Sequence, residues 1–372
     1  MIRGEFEQQS LYDFELAVRQ SDGDYLGEIR TPSSTDQRRL PPIPEPLLND
    51  SFREKMKPRE YGNLLFDWLF QEGLLSSYQR AHEMVEADAS AEGSVGVRFR
   101  LALDDNAPEL ARLPWEALWN PDKPQPVAVT SAFSRFIRVR QSRKWPIVEQ
   151  PLDMHLIVSN PKGLSEMNLS EVDDSIVHDT VRHAMNSLGT FLRLTRMPEP
   201  PTLENIAEFS SREHHILHLL IHAVPQGLVL ANNNGAATAV PFDVVVKAVT
   251  SSPVPPRLVF LGMQLETGTA AKEISRDFAP ALVRDGVLAV AAVLEDMTAR
   301  SLRVLSERFY DVLVRTGVVD VAMMEARKMV FEADQDGPHW SSPVLFSRTM
   351  DNRLFQPLSG PVIEKLQGIT FK

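Results

Sequence analysis

Polar and apolar residues alternate over residues 12–19 and again over 25–29, with Ser21, Asp22 and Gly23 between the two runs. Period-two alternation on both sides of an Asp-Gly turn predicts a β-hairpin. Pro41, Pro42, Pro44 and Pro46 then end the extended pattern. Over residues 61–86 the apolar positions Leu64, Leu65, Trp68 and Leu69 recur at helical spacing, and residues 97–103 alternate like a strand. Prolines 124, 126, 146 and 151 bracket a second short strand region at 127–139.

Beyond about residue 149 the pattern changes to short β-rich runs separated by amphipathic segments, which predicts a mainly parallel sheet covered by helices on both faces. The predicted strands are 154–159, 191–195, 216–222, 228–231, 258–263, 287–294 and 343–347. The predicted helices are 172–188, 202–209, 242–249, 270–284 and 297–314. In the last of these Leu302, Leu305, Phe309 and Leu313 form one stripe, expected to face the sheet. The chain thus divides into an N-terminal hairpin with a Pro-rich arm (1–48), an α+β part (49–149) and an α/β domain (150–372).

Composition narrows the chemistry. The 372 residues are 43% hydrophobic, enough for the cores of one large or two ordinary domains. A formal charge of −11, from 39 Lys and Arg against 50 Asp and Glu, opposes broad phosphate binding, so nucleic acid is not an expected partner. No apolar run reaches the roughly 18 residues of a membrane span, and the early Glu5, Glu7 and Asp13 argue against a signal peptide. There is no cysteine. That excludes disulfides, thiolate metal sites and thiol catalysis, and it agrees with a cytoplasmic location.

Ligands of open α/β sheets gather beyond the carboxyl ends of the strands. Two predicted strand ends carry unusual polar residues: 214–223, reading HHILHLLIHA, and 257–265, reading RLVFLGMQL and ending near Gln264. His215, His218 and His222 share a face if the segment is helical, which suggests zinc. On a strand His218 and His222 share a face that His215 does not, and the apolar residues between them favour the strand. No metal is therefore expected, and no nucleotide cofactor either, since there is neither a GxxxxGK nor a GxGxxG loop. Residues 232–235, reading NNNG, predict a turn.

Three further clusters have a structural reading beside a functional one. Arg135, Arg138, Arg140, Arg143 and Lys144 alternate with Phe136 and Val139, as on a half-exposed edge strand or a contact for an acidic partner. Trp115 and Trp119 are core residues or an exposed interface anchor. Glu295 and Asp296 are placed to cap the helix that follows them.

His215, Leu217, His218 and His222 fall in step with the pattern HxLHFxGHG, and residues 258–264 with a strand ending in VxLNAC. Residues 96–120, including Leu113-Pro114-Trp115-Glu116, together with 281–293 and 340–355, match other signatures of the same family in order and spacing. The chain therefore resembles a CHAT domain, a caspase-like peptidase module. The resemblance implies a caspase-like, mainly parallel sheet flanked by helices, with a smaller N-terminal α+β subdomain. It also implies a catalytic His at His222 and a nucleophilic Cys at the position held by Gln264, so no intact catalytic dyad is present.

A thiolate is a strong nucleophile near neutral pH, whereas the nitrogen lone pair of a carboxamide is delocalised. Gly-His-Gly has also become Ile221-His222-Ala223, which removes the glycines that let backbone approach a substrate. The expectation is a pseudoprotease acting as scaffold, adaptor or regulatory subunit in a bacterial defence or signalling system. Its partners would be proteins: an active protease, a nucleoside-triphosphatase or another effector. The alternative is a peptidase with a non-cysteine nucleophile, for which Thr267 is the nearest hydroxyl, and a third reading is a homo-oligomer paired through a sheet edge.

Overall fold

A computed structural model describes residues 11–53, 55–71, 73–88, 96–140, 146–172, 191–198, 200–265, 273–294 and 297–358, with backbone alone at 263–265, 275 and 299. The chain forms two compact units, Met1–Arg138 with Met323–Ser342, and Val139–Ala322 with Pro343–Lys372. Among the described residues no helix is long and apolar enough to cross a membrane.

The first unit contains β1 (Leu11–Ser21), β2 (Asp24–Arg30), β3 (Thr35–Leu40), β4 (Gly96–Leu103) and β5 (Ala132–Phe136), in the sheet order β5-β4-β1-β2-β3. β1 pairs antiparallel with β2 and parallel with β4. The β1–β2 hairpin closes at Ser21↔Asp24, with φ of 51° at Asp22 and 86° at Gly23. Positive φ at both central residues matches the twist of the strands, which is why Asp-Gly serves there. Phe14, Leu16, Val18, Phe99 and Leu101 are buried, along with Leu65, Phe66 and Leu69 of helix Pro58–Leu69. Tyr78 of helix Leu74–Asp88 meets Phe14 and Phe66 edge-on. Charged cross-strand pairs occupy β1, β2 and β4, including Arg100 with Asp13 and Arg19 with Glu28, each at 2.8 Å.

Two expectations change here, on the 127–139 strand and on Arg135. Residues 127–139 are not one strand: Val127–Thr130 is a helical turn, and β5 follows it. Arg135 is 3% exposed rather than half-exposed. Its guanidinium grips Glu116 at 3.1 and 2.6 Å and donates to the carbonyls of Ala111 and Leu113 at 3.0 and 3.1 Å. A buried arginine is tolerated because carboxylate and carbonyls replace its water. Arg138 pairs with Glu15, while Arg143 and Lys144 lie outside the described residues. Trp115 and Trp119 are core, their indole N–H groups donating to Leu110 O and Lys123 O at 2.7 and 3.0 Å, so they offer no exposed anchor.

The second unit contains β6 (Leu152–Val158), β7 (Leu192–Arg196), β8 (Ile216–Val224), β9 (Gly227–Ala231), β10 (Ala237–Val240), β11 (Leu258–Leu265), β12 (Ala289–Val293) and β13 (Pro343–Ser347). The order is β7-β6-β8-β11-β12-β13, parallel throughout except for β13. β8 outruns β6, and its last residues, Ala223 and Val224, pair with β9, which pairs with β10. Every residue of β8 is buried, as expected of a parallel strand covered on both faces.

Helix Ala299–Thr316 buries Leu305, Phe309 and Leu313, with Leu302 half-buried, and the Phe309 ring lies 5.4 Å from that of Phe260 on β11. The described N-cap is Thr298, whose hydroxyl accepts from Ser301 N at 3.1 Å, while Glu295 and Asp296 lie outside the described residues. The predicted helix at 172–188 also falls outside them after residue 172. Helix 270–284 is described as a π-turn, Ile274–Phe278, continuing into Ala279–Arg284. Residues 232–235 form the predicted turn: Asn232 Oδ1 accepts from Asn234 N and Ala236 N at 2.9 and 3.1 Å, and Gly235 has a φ of 78°.

Candidate functional site

The two polar strand ends meet. In the parallel register of β8 and β11, Gln264 lies opposite His222, Met263 opposite Ile221 and Leu265 opposite Ala223. Neighbouring strands run about 4.8 Å apart, so the histidine and the position that holds a thiol in active relatives are side by side. Ile221 and Ala223 are buried and in regular register with β11, so the ladder uses a backbone that a glycine-flanked loop would leave free.

His222 is 2% exposed. Its Nε2 lies 2.7 Å from the Ser170 carbonyl, which only accepts, so Nε2 carries a proton and donates it. Burial holds the imidazole below its ordinary pKa, and the hydrogen bond to Ser170 opposes that shift. The bond from Nε2–H to a main-chain carbonyl fixes the neutral tautomer, so Nδ1 carries the lone pair and is the ring nitrogen able to take a proton.

The segment that supplies Ser170 leaves the end of β6. Ser159 donates through its hydroxyl to Val229 O at 2.8 Å and through its amide to Leu220 O at 2.9 Å. Leu164 and Leu169 bury against Val224 and Val229, with Met167, Ala237 and Ala239 packed around them. Nothing in the sequence pattern announces this packing, although the positive-φ residues Gly163 and Asn168 mark a tight local turn.

The other histidines of the stretch serve elsewhere. His218 Nδ1 lies 2.8 Å from Tyr310 Oη, and the ring stacks on Phe260 at 4.7 Å. Burial pushes the His218 imidazole down to about 3 and the Tyr310 phenol well above its ordinary value, so both are neutral and share one hydrogen bond. A side chain at Gly262 would begin 2.8 Å from Leu220 Cδ2 and 3.4 Å from His218 Nε2, so a larger residue there requires the Leu220 side chain to shift. His215 Nδ1 accepts from Asp153 N at 2.9 Å, and His214 stacks on His155 at 4.4 Å with Nδ1 against Arg212 O at 2.7 Å. Among the described residues no three His, Asp or Glu side chains converge on a metal-sized space. Thr267 lies outside the described residues.

No curated protein sequence matches the chain. Among solved structures it is similar to the Arg-specific cysteine proteinase gingipain R, at 14% identity and a TM-score of 0.43, covering 75% of this chain and 69% of that one. The complex of Porphyromonas gingivalis RgpB pro- and mature domains gives 11% identity and a TM-score of 0.43 over 84% of this chain and 79% of the other. The Saccharomyces cerevisiae separase–securin complex gives 12% identity and a TM-score of 0.50, covering 90% of this chain but only 30% of its counterpart. At that identity the last likeness speaks for the fold alone, and it agrees with the caspase-like sheet order described above. The model of the CHAT domain family matches residues 59–348, a span that takes in both strand ends, and the chain therefore belongs to the CHAT domain family, as a member without the catalytic cysteine.

Proposed function

We propose that this chain is a pseudoprotease: a CHAT domain that works by binding protein partners as a scaffold, adaptor or regulatory subunit of a bacterial defence or signalling system. The observation that carries the reading is the absence of any cysteine, with a glutamine in register beside His222 where the thiol belongs. Peptide hydrolysis by this fold requires a nucleophile that attacks the carbonyl carbon, and a carboxamide does not supply one. The His222 imidazole keeps a lone pair on Nδ1, but the residue in register with it is a carboxamide, so that position offers no nucleophile to activate. The expected partner is a protein such as an active protease, a nucleoside-triphosphatase or a pore-forming effector, and the −11 charge argues against nucleic acid. A cytoplasmic location belongs to the same proposal.

The test pairs two measurements. The purified chain is incubated with a peptide library that varies every residue before the scissile bond, and the tagged chain is captured from its host before and after phage challenge. No cleavage above that of His222→Ala, together with a stoichiometric partner, is the expected result. Cleavage abolished by His222→Ala or by Thr267→Ala overturns the proposal in favour of a peptidase with a hydroxyl nucleophile. Capture of the chain itself alone, with a mass that falls on dilution, points instead to a homo-oligomer.

A further inference from the structure

We infer that His155 and His214, stacked on each other at the start of the β6–β8 pair, are a latch that releases the end of helix Leu203–Ser211 and the turn after it when the protein meets acid. The latch lies at the opposite end of β8 from His222 and is independent of the binding proposal.

The two imidazoles lie 4.4 Å apart with 6° between their planes, and His155 also stacks on Phe209 of the helix at 4.1 Å and 23°. Rings from β6, the helix end and the approach to β8 thus pack together. His155 and His214 are 6% and 3% exposed. His214 Nδ1 donates to Arg212 O at 2.7 Å, which leaves the lone pair on Nε2, and among the described residues that nitrogen has no hydrogen-bond partner. His155 Nδ1 and the hydroxyl of Ser210, next to Phe209 in the chain, are likewise buried without one. Buried polar atoms are ordinarily bonded, so two open nitrogens on touching rings call for a role. A proton on either places a cation among aromatic faces and opposes a proton on the other.

The charged groups around the stack do not reverse this. Asp153 on β6 favours a proton on both rings, but Arg193 of β7 holds its carboxylate through Nε and Nη2 at 2.8 Å each. From the helix end Arg212 opposes a proton on His155, its guanidinium 5.7 Å from the centre of the Phe209 ring and 3.0 Å from Glu208. His215 opposes a proton on His214, and itself faces Asp153, Glu213, Arg193 and Arg257. Burial outweighs all of these and holds both rings below their ordinary value, His155 at about 4. Once the helix end lifts, water returns the rings to about 6.5. The open form then binds protons that the closed form refuses, so closure is complete above about pH 6.5 and weakens as pH falls toward about 4.

Hydrogen exchange of the full chain at pH 7.5 and pH 5.0, read by peptide mass spectrometry and divided by the rates of an unstructured chain at the same pH, tests this. Peptides covering 206–215 should lose protection at pH 5.0 at least about tenfold more than those covering 258–261 and 289–292, which report global opening. His155→Phe combined with His214→Phe keeps the stack and removes the protonatable nitrogens, so it should abolish the difference. If that protein does not fold, His155→Phe alone is read the same way and should reduce it. An equal change in all three regions of the parent, no change at pH 5.0, or a folded variant that keeps the full selective loss overturns the inference. Neither cleavage nor partner capture enters this test, so its failure leaves the binding proposal standing and the reverse also holds.

Discussion

His222 donates its Nε2 proton to a carbonyl, which leaves Nδ1 as the basic nitrogen of the ring. Gln264→Cys would introduce the only thiol in the chain, opposite His222 in the strand register. With the neighbouring imidazole neutral, an unpaired thiol should titrate near the ordinary value of about 8.5, and proton transfer to Nδ1 would lower it. Thiolate absorbance against pH measures this, and a midpoint more than about one unit lower means that His222 pairs with the new thiol after all. The same variant should gain no peptidase activity. At His218 the logic is structural. Tyr310→Phe removes the hydroxyl that satisfies a buried Nδ1, so it should destabilise by roughly 1–3 kcal/mol in urea unfolding. A variant as stable as the parent would mean that water replaces the hydroxyl.

Two glycines separate backbone strain from steric exclusion at the level of elements. Gly317, the C-cap of helix Ala299–Thr316, has a φ of 70°, and a Cβ there would meet Phe355 O at 1.9 Å. Gly235 has a φ of 78° with open space around it. Gly235→Ala should cost only the strain of a left-handed residue, about 1–2 kcal/mol, and Gly317→Ala distinctly more, since a carbonyl must also move; thermal unfolding of the pair checks the order. The elements also show what the sequence could reveal. The apolar runs that became β8, β11 and β13 were legible because central strands are written as continuous hydrophobic residues, and the predicted 343–347 is β13 itself. β3, reading Thr-Asp-Gln-Arg-Arg-Leu, was invisible because a charged edge strand is held by main-chain pairing with β2. β10 was missed for a similar reason: Ala-Thr-Ala-Val is short and half-buried, and exists through its pairing with β9. Arg135 was misread because alternation alone does not reveal a Glu116 waiting beneath it. The side-by-side placement of His222 and Gln264 could be anticipated from the motifs, but the Ser170 contact could not. It joins residues 52 apart through a main-chain carbonyl, which every residue has.

Buried imidazoles set the pH response of the whole molecule. Burial lowers His82 and His155 to about 4 and His218 to about 3, against 6.5 for the exposed side chain. Between these values the unfolded chain binds protons that the folded chain refuses, so acid favours unfolding. The stability these groups contribute is fully present above about pH 6.5 and is lost as pH falls toward about 4. Denaturant midpoints measured from pH 7.5 to pH 4.5 should fall steadily once pH drops below about 6.5, and a midpoint that rises over that window contradicts the assignment of these histidines as neutral and buried. The pairing of β8 with β11 carries a different kind of consequence. A fully buried strand, hydrogen-bonded to β6 along its first half and to β11 along its length, belongs to the part of a fold whose amides exchange with solvent only in its largest openings. The former nucleophile position lies at the end of that pairing. A substitution there that keeps the extended backbone leaves the β8–β11 pairing intact, so this position can change its side chain without disturbing the ladder.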